Sequence, residues 1–173
     1  MSPHCQLAKN AVKNYLETGQ VISPPKDLPE NFYKQKSGVF VTIEKDKELR
    51  SCIGTYLPTK ENIAQEIISN AIAAATQDYR FTPIAPEELN NLSFTVSILS
   101  EPEPIENFNK LDLKKYGLIV KCIDPPQKCG LLLPDIEGVD SAEQQFSICC
   151  AKGGINPEKD TVALFRFKVE KYK

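Results

Sequence analysis

Arg50 and Cys52 stand two residues apart in Leu49-Arg50-Ser51-Cys52-Ile53-Gly54-Thr55, a charge and a thiol inside a run that otherwise reads as a strand. In extended backbone, successive side chains alternate between the two faces of a sheet. Arg50 and Cys52 then share one face, and Leu49, Ser51 and Ile53 the other. A guanidinium beside a thiol favours the thiolate, the form that attacks electrophiles and binds metals. Cys52 with Arg50 is therefore the candidate catalytic pair, and Gly54, next to Thr55, would let the backbone turn or a ligand approach closely. The competing reading is structural, with Cys52 packed as a small hydrophobe and Arg50 paired to a surface carboxylate.

A second cluster, Asp78-Tyr79-Arg80-Phe81, puts an acid, two aromatics and another guanidinium in four residues before Pro83 and Pro86. It reads either as a binding segment or as a helix terminus, with Arg80 on carbonyl ends and Phe81 packed beneath. Other chemistries find less support. The single histidine, His4, would have to fold back to serve a Cys-His or Ser-His arrangement. Cys122, Cys129, Cys149 and Cys150 match no usual zinc spacing, so no metal is expected. No glycine-rich phosphate loop follows a strand, and nothing predicts a cofactor. Glu87-Glu88 reads as the solvated first turn of a short helix rather than an acid/base pair. Without a histidine in place, proton transfer would fall to a carboxylate, a tyrosine or Cys52.

The elements that must position these residues follow from periodicity. Ser2-Pro3 starts a helix with apolar positions from Leu7 to Leu16, ending at Gly19. Prolines at 24, 25 and 29 predict an extended connection over 20–37 that lies on the body of the domain. Gly38 to Glu44 and the Arg50–Cys52 strand, separated by Asp46-Lys47-Glu48, form a β-hairpin. Pro58-Thr59 opens a helix with an apolar stripe of Ile63, Ile67, Ile68, Ala71, Ile72 and Ala75. Leu92–Leu99 alternates apolar with hydroxyl side chains, whose face could line a groove. Gly117–Ile123 and Gly130–Pro134 pair as strands around Pro125-Pro126. Asp140 with Glu143 resembles a capping box for a helix reaching Lys152, stopped by Gly153-Gly154. Thr161–Val169 is a last strand with Ala163, Phe165, Phe167 and Val169 on one face.

A chain of 173 residues, 41% hydrophobic and 25% charged, suits one compact domain over 1–173 or two subdomains, and excludes disordered and collagen-like classes. A net charge of −2 gives no general attraction to nucleic acid or anionic membrane, and no apolar run is long enough to span a bilayer. Met1-Ser2-Pro3-His4 has no signal-peptide pattern, so a cytoplasmic setting with six reduced cysteines is expected.

Phe40-Val41-Thr42-Ile43, Leu49 to Thr55, Asp78 to Phe81 with Pro83, Glu88-Leu89 and Gly130-Leu131-Leu132-Leu133-Pro134, in that order, resemble the AMMECR-type domain family. That family is named for a human chromosomal region linked to Alport syndrome, midface hypoplasia and elliptocytosis, and includes protein A of the AmmeMemoRadiSam system. Arg50, Cys52, Ile53 and Gly54 match its L-R-G-C-I-G motif, with Ser51 in place of glycine. Asp78, Arg80 and Phe81 match D-P-R-F, with Tyr79 in place of proline. Ser51 should point away from the Arg50–Cys52 face and fill space under the strand.

The resemblance implies an α+β fold of antiparallel sheet, packed helices and a smaller second lobe. It implies no settled reaction, and it suggests a modification pathway shared with Memo-like and radical-SAM proteins. Two functions stay open. In one, an enzyme or accessory subunit uses Cys52, with Arg50 and Arg80 at an anion-binding cleft for an unidentified small molecule. In the other, a non-catalytic interaction module presents Arg50, Arg80 and Phe81, with Gly54, Thr55 and Asp78 completing the binding surface.

Overall fold

The β-branched run after Gly38 pairs with the thiol segment as the alternation predicts, and the rest of the first half is built on that hairpin. A computed structural model describes residues 1–109, 111–124 and 127–173. Its elements run α1 (Pro3–Thr18), α2 (Asn31–Lys34), β1 (Val39–Lys45), β2 (Glu48–Thr55), α3 (Ile63–Gln77), a 3₁₀ turn (Pro86–Asn91), β3 (Leu92–Leu99), β4 (Glu103–Ile105), β5 (Gly117–Asp124), β6 (Cys129–Leu132), α4 (Ala142–Gly153), β7 (Thr161–Phe167) and β8 (Val169–Tyr172). They form an α+β fold with two four-stranded sheets, ordered β2-β1-β3-β8 and β4-β7-β5-β6. One compact unit comprises residues 1–99 and 170–173, and the other residues 100–169.

In the first unit β1 is central. Val39, Val41 and Ile43 are fully buried with Ile63, Ile67 and Ala71 of α3 and Ala8, Ala11 and Val12 of α1. The β1–β2 turn is the two-residue Asp46–Lys47, both at positive φ (54° and 69°), the conformation that keeps the strand twist across a tight hairpin. Pairing of Ile43 with Ser51 and of Glu44 with Leu49 leaves Arg50 as a bulged residue. Strict alternation therefore fails at that point. Leu49 is 47% exposed and does not share the buried face of Ser51.

Three expectations shift here. α3 begins at Ile63 rather than near Pro58, because the Asn62 side chain accepts from the Gln65 N–H and caps the helix. The 20–37 connection contains the single helical turn α2, which places Phe32 in the core. His4 does fold inward, stacked between Phe32 and Tyr172 with ring centroids 4.4 and 3.7 Å away. Burial lowers its pKa against the pull of Glu170, and among the described residues neither ring nitrogen has a hydrogen-bond partner.

The second unit packs α4 on its sheet over Leu118, Val120, Cys149 and Cys150. β5 and β6 pair antiparallel as expected, while the Pro125-Pro126 connection lies outside the described residues. A Cβ on Gly130 would collide with the Cys149 carbonyl, so glycine there sets how closely β6 meets α4. The α4 cap is Ser141 with Gln144, one residue later than the Asp140/Glu143 box. The Ser141 hydroxyl accepts from the Gln144 N–H, and the Gln144 amide accepts from the Asp140 N–H. The final strand is two strands broken at Lys168: β7 stays in this sheet, and β8 joins the sheet of β3. Val162 and Leu164, not Ala163 and Phe165, turn toward this core.

Candidate functional site

β2 lies at the edge of its sheet, so one side of its backbone has no neighbouring strand to bond. Asp78 and Arg80, just past the end of α3, supply the missing partners. The Cys52 N–H donates to Asp78 Oδ2 at 2.9 Å, and Arg80 Nη2 donates to the Cys52 carbonyl at 3.1 Å. The two side chains also bind each other in a fork, Nε to Oδ1 at 2.9 Å and Nη2 to Oδ2 at 2.7 Å. The Arg80 bonds hold the Asp78 carboxyl at about 2, against the opposing effect of burial, and the Cys52 N–H lowers it further. Arg80 therefore does not meet the helix carbonyls, and Phe81 is only half-buried, with the Arg80 guanidinium 5.4 Å from its ring centroid.

Arg50 is bound as completely. Its Nε and Nη2 donate to the two oxygens of Glu88, its Nη1 to the Thr82 carbonyl at 2.9 Å and its Nη2 also to the Pro83 carbonyl. Lys45 and the Ala85 N–H donate to the same carboxylate. The Arg50 bonds, followed by that of the Ala85 N–H, hold Glu88 at about 2. The solvated reading of Glu88 is thus corrected, and all three Arg50 nitrogens are used without reaching the thiol. The Cys52 Sγ instead accepts from the Thr42 hydroxyl at 3.3 Å, and Cys52, Thr42 and Thr95 form one row across three strands.

Ser51 sits on the opposite face, buried, and its hydroxyl donates to the Ala74 carbonyl at 2.6 Å. That carbonyl is one of the last four of α3, which lack partners within the helix. Ile84 N–H satisfies the next one, Ala75, at 2.8 Å. Ser51 thus fills space under the strand and caps a helix end. Gly54 is not an opening for ligand, because a Cβ there would overlap the Phe40 ring and the Val39 carbonyl.

Thr55 belongs to a second polar cluster, centred on Glu66. This carboxylate is 1% exposed and accepts from the hydroxyls of Thr55 and Thr59 and the N–H groups of Thr59 and Lys60, all at 2.7 to 2.8 Å. Burial raises its pKa, and these bonds outweigh that effect and leave it lowered. Asn70 joins the cluster and also donates to the Val39 carbonyl. Glu66 and Asn70 fall on the apolar stripe of α3, and a polar residue on such a stripe is the signal by which the sequence could have disclosed them.

The structure therefore gathers Arg50, Cys52, Asp78 and Arg80 about one sheet edge, with Glu88 added and Thr55 drawn into a separate cluster. Among the described residues no group of histidine, cysteine, aspartate and glutamate is placed to hold a metal, and no helix is long and apolar enough to cross a membrane.

An α+β chain with an edge strand clamped by an Asp-x-Arg turn is the class these features define. Residues 5–172 match the AMMECR1 family model, and the chain belongs to that family. It is 51% identical to a protein of Thermotoga maritima over 99% of this chain and 97% of that one. A protein of Clostridium acetobutylicum is 41% identical over 99% of this chain, which spans 36% of that longer protein. The crystal structure of an uncharacterized protein from Pyrococcus horikoshii superposes with a TM-score of 0.86 at 35% identity, covering 97% of this chain and 88% of the other.

Proposed function

We propose that this chain is a binding module whose recognition element is the tip Tyr79-Arg80-Phe81. The carrying observation is Tyr79, 96% exposed on a turn that Asp78 and Arg80 lock against β2. Ordering an interface costs conformational entropy, and a tip already held in place avoids part of that cost. Tyrosine and arginine are the residue types that most often dominate binding energy. The family motif carries proline where Tyr79 stands, so the tip offers an apolar ring in either form. Both motif guanidiniums already hold carboxylates, which favours this reading over a cleft for a small anion. The partners proposed are Memo-like and radical-SAM proteins of a modification pathway in the cytoplasm.

Calorimetric titration of the purified chain against each such protein tests this. Tyr79→Ala should weaken binding at least about tenfold while Cys52→Ala stays within about twofold of wild type. The reverse pattern would refute the binding module and favour a second reading, in which Cys52 acts as nucleophile or tether. That reading draws on the Thr42 hydroxyl, which donates to the Cys52 sulfur and fixes its place on the strand.

A further inference from the structure

In the first unit the buried carboxylates Glu66 and Asp78 are fully bonded, while His4, 6% exposed, has both ring nitrogens shut off from solvent and no polar partner among the described residues. Its ring lies between Phe32 of α2, inclined by 27°, and Tyr172 of β8, inclined by 24°. A neutral imidazole fits there as an aromatic plate, at the cost of one N–H left unbonded. An imidazolium carries two N–H donors and a full charge, and this place gives it neither water nor an acceptor. Protonation therefore requires a neighbour to move. Phe32 is 1% exposed and seated in the core, whereas Tyr172 is half-buried on a four-residue strand at the edge of the sheet. Short edge elements with few buried contacts open first. The remaining ties of β8 to α1 flank His4: the Ser2 N–H donates to the Lys173 carbonyl at 2.9 Å and the Cys5 thiol to the Tyr172 carbonyl at 3.1 Å.

The ionisable groups on the surrounding elements do not supply the missing acceptor. On β8, Glu170 favours the charged ring, but burial outweighs it and its carboxylate accepts from the Tyr172 hydroxyl at 2.7 Å. Lys171 and Lys173 are cations and accept nothing. On α2, Glu30 pairs with Lys34, and the Tyr33 hydroxyl donates to the Pro25 carbonyl. On α1 itself Lys9 is a cation, and Lys13 and Glu17 pair with each other two turns or more away. Of the elements packed on α1, β3 has no ionisable side chain, Glu66 and Glu88 are bonded in the clusters described above, and Glu87 is exposed.

We infer that His4 is a pH-sensitive latch: its neutral ring holds β8 against α1 and α2, and its protonation frees β8 from the edge of β3. The inference rests neither on the tip nor on Cys52. A base kept neutral when closed takes up its proton in the open form. The latch is therefore complete above the ordinary histidine value of 6.5 and weakens as pH falls below it, the open fraction rising up to about tenfold per pH unit. Amide hydrogen exchange of the full chain, followed by NMR and corrected for intrinsic rates, tests this between about pH 7.5 and about pH 5.2, above the range in which the carboxylates titrate. Protection of the β8 amides should fall about tenfold or more across that range, while Val41 and Ile43 in β1 keep theirs. His4→Phe keeps a ring in the stack and cannot titrate, so its β8 protection should be the same at both ends. Four results would each overturn the inference. They are β8 protection independent of pH in wild type, protection that rises on acidification as a cation held between two ring faces would give, β1 falling in step with β8, and His4→Phe losing protection as wild type does. Should His4→Phe fail to fold, the Cε1–H resonance of His4 in wild type takes its place. It should titrate with the same midpoint as the loss of β8 protection, and titration with β8 still protected would be equally fatal.

Discussion

At the scale of single residues, the motif is held by two carboxylates that fold-depressed pKa values make sensitive to acid. Asp78 falls from 3.8 and Glu88 from 4.5, each to about 2. A carboxyl whose pKa is lower folded than unfolded adds stability above its unfolded pKa and loses it as pH falls through the folded one. The loss therefore runs from about pH 4.5 down to about 2, and amounts to roughly 2–3 kcal/mol for each group by linkage. Urea unfolding across that window should show a shallower acid decline for Glu88→Gln than for wild type, and equal slopes would contradict the Glu88 assignment. Gly54→Ala carries a second expectation. Its methyl would force apart Phe40 and the Val39 carbonyl, so stability should fall by about 1–3 kcal/mol in the same measurement. Cys52 and Ser51 were legible on opposite faces because strand alternation is local. The Arg50–Glu88 bond was not, because 38 residues separate partners that only the folded chain brings together.

At the scale of elements, the edge of β2 is closed by side chains where a strand would otherwise add. Asp78→Ala removes the acceptor of the Cys52 N–H and the partner of Arg80 at once. It should lower stability by about 2–3 kcal/mol, as expected when an ionised acceptor is lost. It should also make the protein associate with rising concentration, because an unpaired edge templates further strands. Sedimentation at several concentrations checks the second effect, and a strictly monomeric variant would show that the edge is protected by something else. The β1–β2 turn offers the opposite change. Lys47 holds φ 69° with a Cβ present, and Lys47→Gly should relieve that strain and raise the thermal midpoint, by about 0.5–1 kcal/mol in stability. The hairpin itself was readable from β-branched composition. Its bulge at Arg50 was not, since an extra residue leaves no mark on a pattern of period two. The same blindness hid the break at Lys168, where apolar alternation runs straight on while the chain changes sheets.

At the scale of the whole molecule, the six cysteines are free and distributed so that their reactivity reads the state of each unit. Cys5 is fully buried in the first core, and Cys122, Cys149 and Cys150 are buried in the second unit, while Cys52 and Cys129 are half-exposed. Burial pushes Cys149 up to about 12 despite Lys152 nearby, and raises Cys150 as well. A thiol must be both reached and deprotonated before it reacts. Native alkylation mapped by mass spectrometry should therefore label Cys52 and Cys129 first. Cys5, Cys122, Cys149 and Cys150 should label only as fast as their units open, a rate that denaturant accelerates. If Cys149 kept pace with Cys129 in the absence of denaturant, the packing of α4 against β5 and β6 would be wrong as described. If Cys52 labelled only on unfolding, an accessible thiol beside the Tyr79 tip would be excluded, and nucleophile chemistry at that edge with it.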